Sequence, residues 1–175
     1  MAYRVVAHDP AWRAAYEGEA ARIRRALGDA LVAVHHIGST AIPGIEAKPV
    51  IDLCLEVRSL DDLDARVEAM EALGYEVLGE FGIPRRRFFL RDDVAGVRTH
   101  HVHAFAAGDA EVRRHLAFRD YVIAHRDVAR AYGRLKRELA RAHPDDIEAY
   151  IAGKDPFIKE HEARALEWAA PGSGS

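Results

Sequence analysis

VHHIGSTAIPGIEAKPVIDLCLEV, residues 34–57, contains two β-strands and the bend that joins them. Leu31 to Ile37 reads as the first strand, Gly38-Ser39-Thr40 as a turn of small residues, and Val50 to Val57 as the second strand. Pro43, Gly44 and Pro49 bend the connector between them. Gly38 needs no Cβ clearance, and Ser39 and Thr40 place hydroxyls beside free backbone N–H groups, so amides opening outward from this turn can hold an anion. The second strand delivers Asp52 between Ile51 and Leu53, and a carboxylate among apolar neighbours needs a cation or hydrogen-bond donors. An anion cradle followed by a strand carboxylate suits a phosphate ligand with a divalent metal. The turn is not a Walker A loop, because no Gly-Lys-Ser/Thr follows at the required spacing.

The composition sets the bounds. A chain of 175 residues, 49% hydrophobic and 30% charged, is long enough for a sizeable core and has the profile of a globular protein. A formal charge of −3 supplies no broad basic field, so nonspecific nucleic-acid binding and membrane-surface binding are not expected. Cys54 is the single cysteine, which excludes an internal disulfide and a cysteine-based zinc cluster. The opening MAYRVVAHDP has no apolar run of signal-peptide length, and no segment approaches the ~20 apolar residues of a membrane span. A cytoplasmic location is the expectation.

Around the two strands, the pattern predicts a helix from Asp9-Pro10 to Gly28, with Trp12, Tyr16, Ile23 and Leu27 on one face. Tyr3 to Val6 is a short edge-strand candidate. A further helix starts at Asp61-Asp62, with a stripe of Leu63, Val67, Met70 and Leu73, and Gly74 ends it. Three strand candidates follow, Tyr75 to Gly79, Arg86 to Arg91 and Val97 to Phe105. The remainder is helical: Ala110 to His125, Val128 to Ala142, and two shorter pieces started by Pro144 and by Asp155-Pro156. The predicted architecture is α+β, with a mixed sheet and flanking helices over 1–107, a C-terminal helical lobe packed on it over 108–170, and a flexible tail over 171–175.

Several strings carry a family resemblance. HIGSTAIPG (36–44), AKPVIDL (47–53), GIPRRRFF (82–89), RTHHVH (98–103), HLAFRDY (115–121) and the closing Tyr150, Lys154 and Phe157-Ile158 together resemble the GrpB family, over roughly residues 4 to 165. The order strand, Gly-Ser, spacer, strand with aspartate resembles the nucleotidyltransferase fold. The resemblance implies a nucleotidyltransferase-like mixed β-sheet, phosphate contact through the Gly38, Ser39 and Thr40 amides, and His101 or His103 near Asp52. It also implies that Arg85 or Arg87 reaches an anionic ligand. Active members of the wider fold place a second carboxylate two positions after the first, and here that position is Cys54. Glu56 lies about 13 Å along the strand, too far to share a magnesium ion with Asp52. A neutral thiol is a poor ligand for a hard cation, so the usual two-metal set is incomplete.

Asp52, His101 and His103 are therefore the candidate catalytic residues and metal ligands, for magnesium or manganese ahead of zinc or iron. Each has a bland counterpart, a strand-end aspartate bonded to backbone and hydrogen-bonded structural histidines. Lys48, just before the Asp52 strand, reads either as a phosphate ligand or as an exposed lysine. Arg85, Arg86 and Arg87 read as a solvated hairpin edge for at least one of the three. His115, Arg119, Tyr121 and Lys154 read as packing or surface, with cleft lining as the alternative. Three functions stay open. One is a nucleotide-binding protein that transfers a nucleotidyl group with a divalent ion. Another is a non-catalytic binding module with a protein partner or a CoA-type ligand, since the resemblance extends to domains fused to dephospho-CoA kinase. The third is an Asp/His metal-dependent hydrolase.

Overall fold

The computed structural model describes residues 3–172, so that 173–175 of the expected tail lie outside the described residues. The sheet is built from β1 (Leu31–Ile37), β2 (Ile51–Val57), β3 (Glu76–Val77), β4 (Arg87–Asp92) and β5 (Arg98–Ala106), in the order β1-β2-β5-β4-β3. The central pair β2–β5 is parallel and the other pairings are antiparallel, so the sheet is mixed and the α+β class expected from the sequence is the one observed. Six helices accompany it among the described residues: α1 (Ala11–Leu27), α2 (Leu60–Asp64), α3 (Val67–Ala72), α4 (Ala110–Ala124), α5 (Arg126–Ala142) and α6 (Ile147–Trp168).

Period-two alternation explains how the sheet sorts its side chains. Leu53, Leu55 and Val57 of β2, with Val102 and Ala104 of β5 and Phe89 of β4, face α1, α2 and α3. They pack there against Trp12, Ala20, Ile23, Leu27, Leu63 and Met70, and burial of each large aliphatic chain contributes about 1.5–3 kcal/mol. The opposite face carries the other half of each strand: Asp52 and Cys54 on β2, His101, His103 and Phe105 on β5, and Phe88 on β4. α4 seats on that face through Val112 and Leu116 against Ile37, Cys54 and Phe105. α4, α5 and α6 then close around a second apolar cluster containing Ile42, Tyr121, Val122, Val128, Tyr132 and Ala165. Among the described residues no helix is long and apolar enough to cross a membrane.

Four local expectations are corrected. Val6 makes only an isolated bridge to Ala47, so Tyr3 to Val6 is not a strand. The helix predicted from Asp61 is broken at 65–66 into α2 and α3, and Ser59 caps the first piece by accepting from the Asp62 N–H at 3.0 Å. The strand predicted over Tyr75 to Gly79 shrinks to two residues. The two short C-terminal pieces are one 22-residue helix with Pro156 inside it. Asp146 caps that helix at the Ala149 N–H, and the buried side chains of Tyr150, His161 and Ala165 hold it on the rest of the lobe. Tertiary packing along its length outweighs the one hydrogen bond that proline removes.

Candidate functional site

Asp52 stands one residue into β2, its Cα paired with Ile37 of β1 on one side and His101 of β5 on the other. Gly38 follows Ile37 with φ +73 and ψ −174, a backbone conformation open almost only to glycine. A Cβ built there would lie 2.6 Å from Asp52 Oδ2, so the turn and the carboxylate are pressed together. Ser39–Ala41 winds into a 3-10 turn whose first N–H groups have no acceptor within it. The Thr40 hydroxyl is engaged in the scaffold, donating to the Val50 carbonyl at 3.3 Å and lying 2.9 Å from His36 Nε2. Ser39 and Tyr132 of α5 line the same cavity, where the turn meets the helical lobe.

His101 and His103 both reach Asp52. His101 Nδ1 lies 3.1 Å from Asp52 Oδ1 and His103 Nε2 lies 3.7 Å from the same oxygen. On its other side, His101 Nε2 meets Arg98 Nη1 at 3.5 Å, and His103 Nδ1 meets Arg86 Nη1 at 3.4 Å. Guanidinium nitrogens only donate, so these contacts assign the ring lone pairs to the arginines and the N–H groups to Asp52. Burial pushes the Asp52 carboxyl up, but the two histidine N–H groups outweigh it and hold the acid well below the usual carboxylate range. The residue after next, Cys54, is buried, and burial with the nearby Glu56 charge pushes its thiol up to about 12. Glu56 is engaged with His35 at 2.7 Å, at the far end of the strand.

The helical lobe completes the cavity, which encloses about 320 Å³, within the range of small-molecule sites. α6 contributes Tyr150 and Lys154, α5 contributes Tyr132, and α4 contributes Arg114 and His115. Burial, with His103 and Arg114 nearby, pushes His115 down to about 3, leaving it neutral. Arg114 is bound by Glu111 and Glu162. Lys154 stands 4.5 Å over the Tyr150 ring and Lys48 stands 5.7 Å from it. Burial pushes Lys48 down from its usual value and, with the Lys48 charge, pushes Lys154 down to about 8. A larger hollow of about 480 Å³, walled by Val112, Leu116 and Trp168, is shallower and has none of these groups.

The site residues expected from the sequence divide accordingly. Gly38, Ser39, Thr40, Lys48, Asp52, His101 and His103 line one cavity. Arg85 and Arg87 do not line it: Arg85 pairs with Asp109 at 3.0 Å, and Arg87 forks onto Asp64 at 2.7 and 2.8 Å. The strand begins only at Arg87 and Arg85 has φ +65, so strict alternation does not extend back through the triplet. The inward arginine is Arg86, buried over the Phe88 ring at 4.4 Å and donating to the Glu80 and Phe81 carbonyls. Arg119 and Tyr121 lie elsewhere, Arg119 donating to the His36 carbonyl and Tyr121 packing in the lobe. The sequence assigns no site role to Tyr132, Lys136 or Tyr150, and of its two readings of Lys154, packing or surface against cleft lining, the cavity lining is the one observed. The available signal was a Tyr-x-x-x-Lys spacing repeated on α5 and α6, which stacks an amine over a ring on each helix.

Among the described residues no three His, Cys, Asp or Glu side chains converge so as to hold a metal ion. A resident zinc or iron does not fit, because the histidine lone pairs point at Arg98 and Arg86 and Cys54 is a neutral buried thiol. Magnesium or manganese brought in with phosphates fits better, since such ions commonly use one carboxylate plus ligand oxygens. Asp52 would hold it.

His36, behind the turn, supplies a pH test of the scaffold. It stacks on Tyr16 at 4.7 Å, and burial pushes it down to about 4 from its ordinary 6.5. The unfolded chain therefore takes up a proton that the fold refuses, and stability is lost as pH falls from about 6.5 towards 4. Urea unfolding is expected to show at least about 1 kcal/mol less stability at about pH 5 than at about pH 7.5. His36→Phe should reduce that slope by the His36 share, while His115 and His100, pushed down by burial to about 3 and about 4, keep theirs; an unchanged slope would assign it to those groups alone.

Fold and cavity together define an α+β protein with an acid-and-amine pocket beneath a glycine turn. The chain belongs to the GrpB family, described as "GrpB protein", which matches residues 2–164. It is similar to the crystal structure of conserved protein GrpB from Enterococcus faecalis, with a TM-score of 0.89 and 41% identity, covering 94% of this chain and 98% of that one. It is 43% identical to UPF0157 protein YqkA of Bacillus subtilis over 94% of this chain, but spans only 47% of that protein's length. A dephospho-CoA kinase of Mycolicibacterium paratuberculosis is 30% identical over 95% of this chain and 46% of that protein.

Proposed function

We propose that the protein binds a nucleotide or other phosphorylated small molecule in the cavity under the Gly38–Thr40 turn and, where that ligand is a nucleoside triphosphate, transfers its nucleotidyl group to a hydroxyl, phosphate or protein acceptor with release of pyrophosphate. The observation that carries this reading is the convergence of the turn, Asp52, Lys48 and Lys154 on one space of ligand size. The Ser39 and Thr40 amides and the two amines bind phosphate oxygens, and the tyrosine wall excludes water. His101 and His103 keep Asp52 ionised and hold its orientation. A magnesium or manganese ion on Asp52, when bound, would neutralise charge on the phosphates. Calorimetry with each common nucleotide and magnesium is expected to give binding that Asp52→Asn weakens by at least about tenfold, or 1.4 kcal/mol. Equal affinity in variant and parent would refute the role of Asp52.

A second reading rests on the dephospho-CoA kinase that matches this chain over less than half its own length. On that reading the chain is a binding domain for a CoA-type ligand, acting beside a protein partner without turnover. Labelled nucleotides with magnesium or manganese separate the two. Pyrophosphate release supports transfer, whereas binding without release supports the accessory domain.

A further inference from the structure

Lys136, on α5, is 1% exposed, and its Nζ has no hydrogen-bond partner. It stands 4.5 Å over the Tyr132 ring, behind the wall that Tyr132 and Tyr150 present to the cavity. Lys48 and Lys154 lie on the cavity side of that wall, and all three amines act on one another electrostatically. None of the three forms an ion pair among the described residues. The groups that face Lys136 are Glu46 and Lys48 from the segment before β2, Lys154 from α6, and Tyr132 on its own helix. The one carboxylate in that set, Glu46, is already paired with Arg137. Asp52 lines the same cavity and offsets one of the three charges, which leaves Lys136 without a counterion of its own, and burial with the neighbouring Lys154 and Lys48 charges pushes Lys136 down to about 7.

We propose that this cluster is a subsite for a pyrophosphate or longer polyphosphate group, and that binding there takes up a proton, with Lys136 as a third countercharge that is completed only when the ligand is present. The inference rests on the phosphorylated-ligand reading of the cavity and adds the minimum charge of the ligand and its coupling to pH. With Asp52 counted against them, the three charged amines leave two positive charges, and pyrophosphate, which carries more negative charge than orthophosphate near neutral pH, draws the proton onto Lys136 the more strongly. Linkage then requires affinity to fall as pH rises from about 7, because the free form loses the protons that the complex needs.

The test is calorimetry of the whole chain with tripolyphosphate, pyrophosphate and orthophosphate, at about pH 8 in buffers of different ionisation heat. Pyrophosphate and tripolyphosphate are expected to bind at least about tenfold tighter than orthophosphate, with uptake of roughly one proton. Lys136→Met, an apolar replacement of similar length at a buried position, should keep the fold, reduce the uptake and weaken pyrophosphate several-fold. Lys154→Gln, on the cavity wall, should do the same without disturbing the core. Equal affinity for orthophosphate and pyrophosphate, or proton uptake unchanged in both variants, would overturn the subsite even if nucleotides still bind. Failure of every phosphate compound and every nucleotide to bind would overturn the cavity reading as well.

Discussion

Glu19→Ala is expected to destabilise the protein by about 3–5 kcal/mol, the cost of leaving a buried charge without its partner. Glu19 is 4% exposed on α1 and is gripped from three sides. Arg91 of β4 donates to both of its oxygens, at 2.6 and 3.0 Å, the Tyr75 hydroxyl donates at 2.9 Å, and Arg22 donates at 3.0 Å. The same guanidinium lies 3.0 Å from His100 Nδ1, so the network joins α1 to β5 on the face opposite His101 and His103. Burial pushes the Glu19 carboxyl up, but the Arg91 and Tyr75 bonds outweigh it and the net shift is downward from 4.5. A depressed acid contributes its stability above the unfolded value, and that contribution is lost as pH falls through the lower folded value. Urea unfolding near neutral pH should therefore show the whole loss, with little change in the slope against denaturant. Pairing Glu19→Ala with Arg91→Met should recover part of it by removing the stranded guanidinium. A loss below about 1 kcal/mol would mean that the ion pair is solvated and the network holds nothing.

How far the sequence could be read depends on how local each signal is. The strand–turn–strand around Gly38 was legible because alternation, a glycine and two prolines all lie within one short stretch, and β1 runs over Leu31–Ile37 as expected. The meeting of Asp52 with His101 followed from the family strings, and in-register pairing of β2 with β5 accounts for it. The orientation of the three arginines was not legible. Which of them faces inward depends on where β4 starts, and a left-handed Arg85 sets that start. The continuity of α6 through Pro156 was hidden for a related reason, since the helix is held by partners on other elements. Lys136 was least legible of all. A lysine in an apolar helical stripe reads as a surface residue, and the charged groups that face this one, Glu46, Lys48 and Lys154, come from the segment before β2 and from α6. The scaffold of the cavity was thus written in neighbouring residues, while the charges that would recognise a ligand depend on contacts distant in the chain.

Gly38→Ala is expected to cost about 2–5 kcal/mol and to abolish ligand binding in the cavity, for two separable reasons. The first is the backbone: φ +73 with ψ −174 is a region that any Cβ makes unfavourable, at about 1–3 kcal/mol. The second is the neighbour: the new methyl carbon would stand 2.6 Å from Asp52 Oδ2, 3.0 Å from its Cβ and 3.1 Å from its Cγ. Asp52 cannot swing aside cheaply, because its Cα is locked in register with Ile37 and its other oxygen meets the His101 N–H. The turn must move instead, taking the Ser39 and Thr40 amides away from the carboxylate they share a cavity with. Gly44→Ala is the control, since φ there is +79 but the nearest atom to an added Cβ is Arg126 Nη2 at 3.9 Å. That variant should lose only the backbone part, about 1 kcal/mol, and keep its ligand affinity. Combining Gly38→Ala with Asp52→Ala removes the closest contact, so part of the stability should return while binding stays lost. If instead the two glycine variants prove equally stable, the carboxylate does not press on the turn, and the anion cradle and the acid would have to be treated as separate features of the sheet edge.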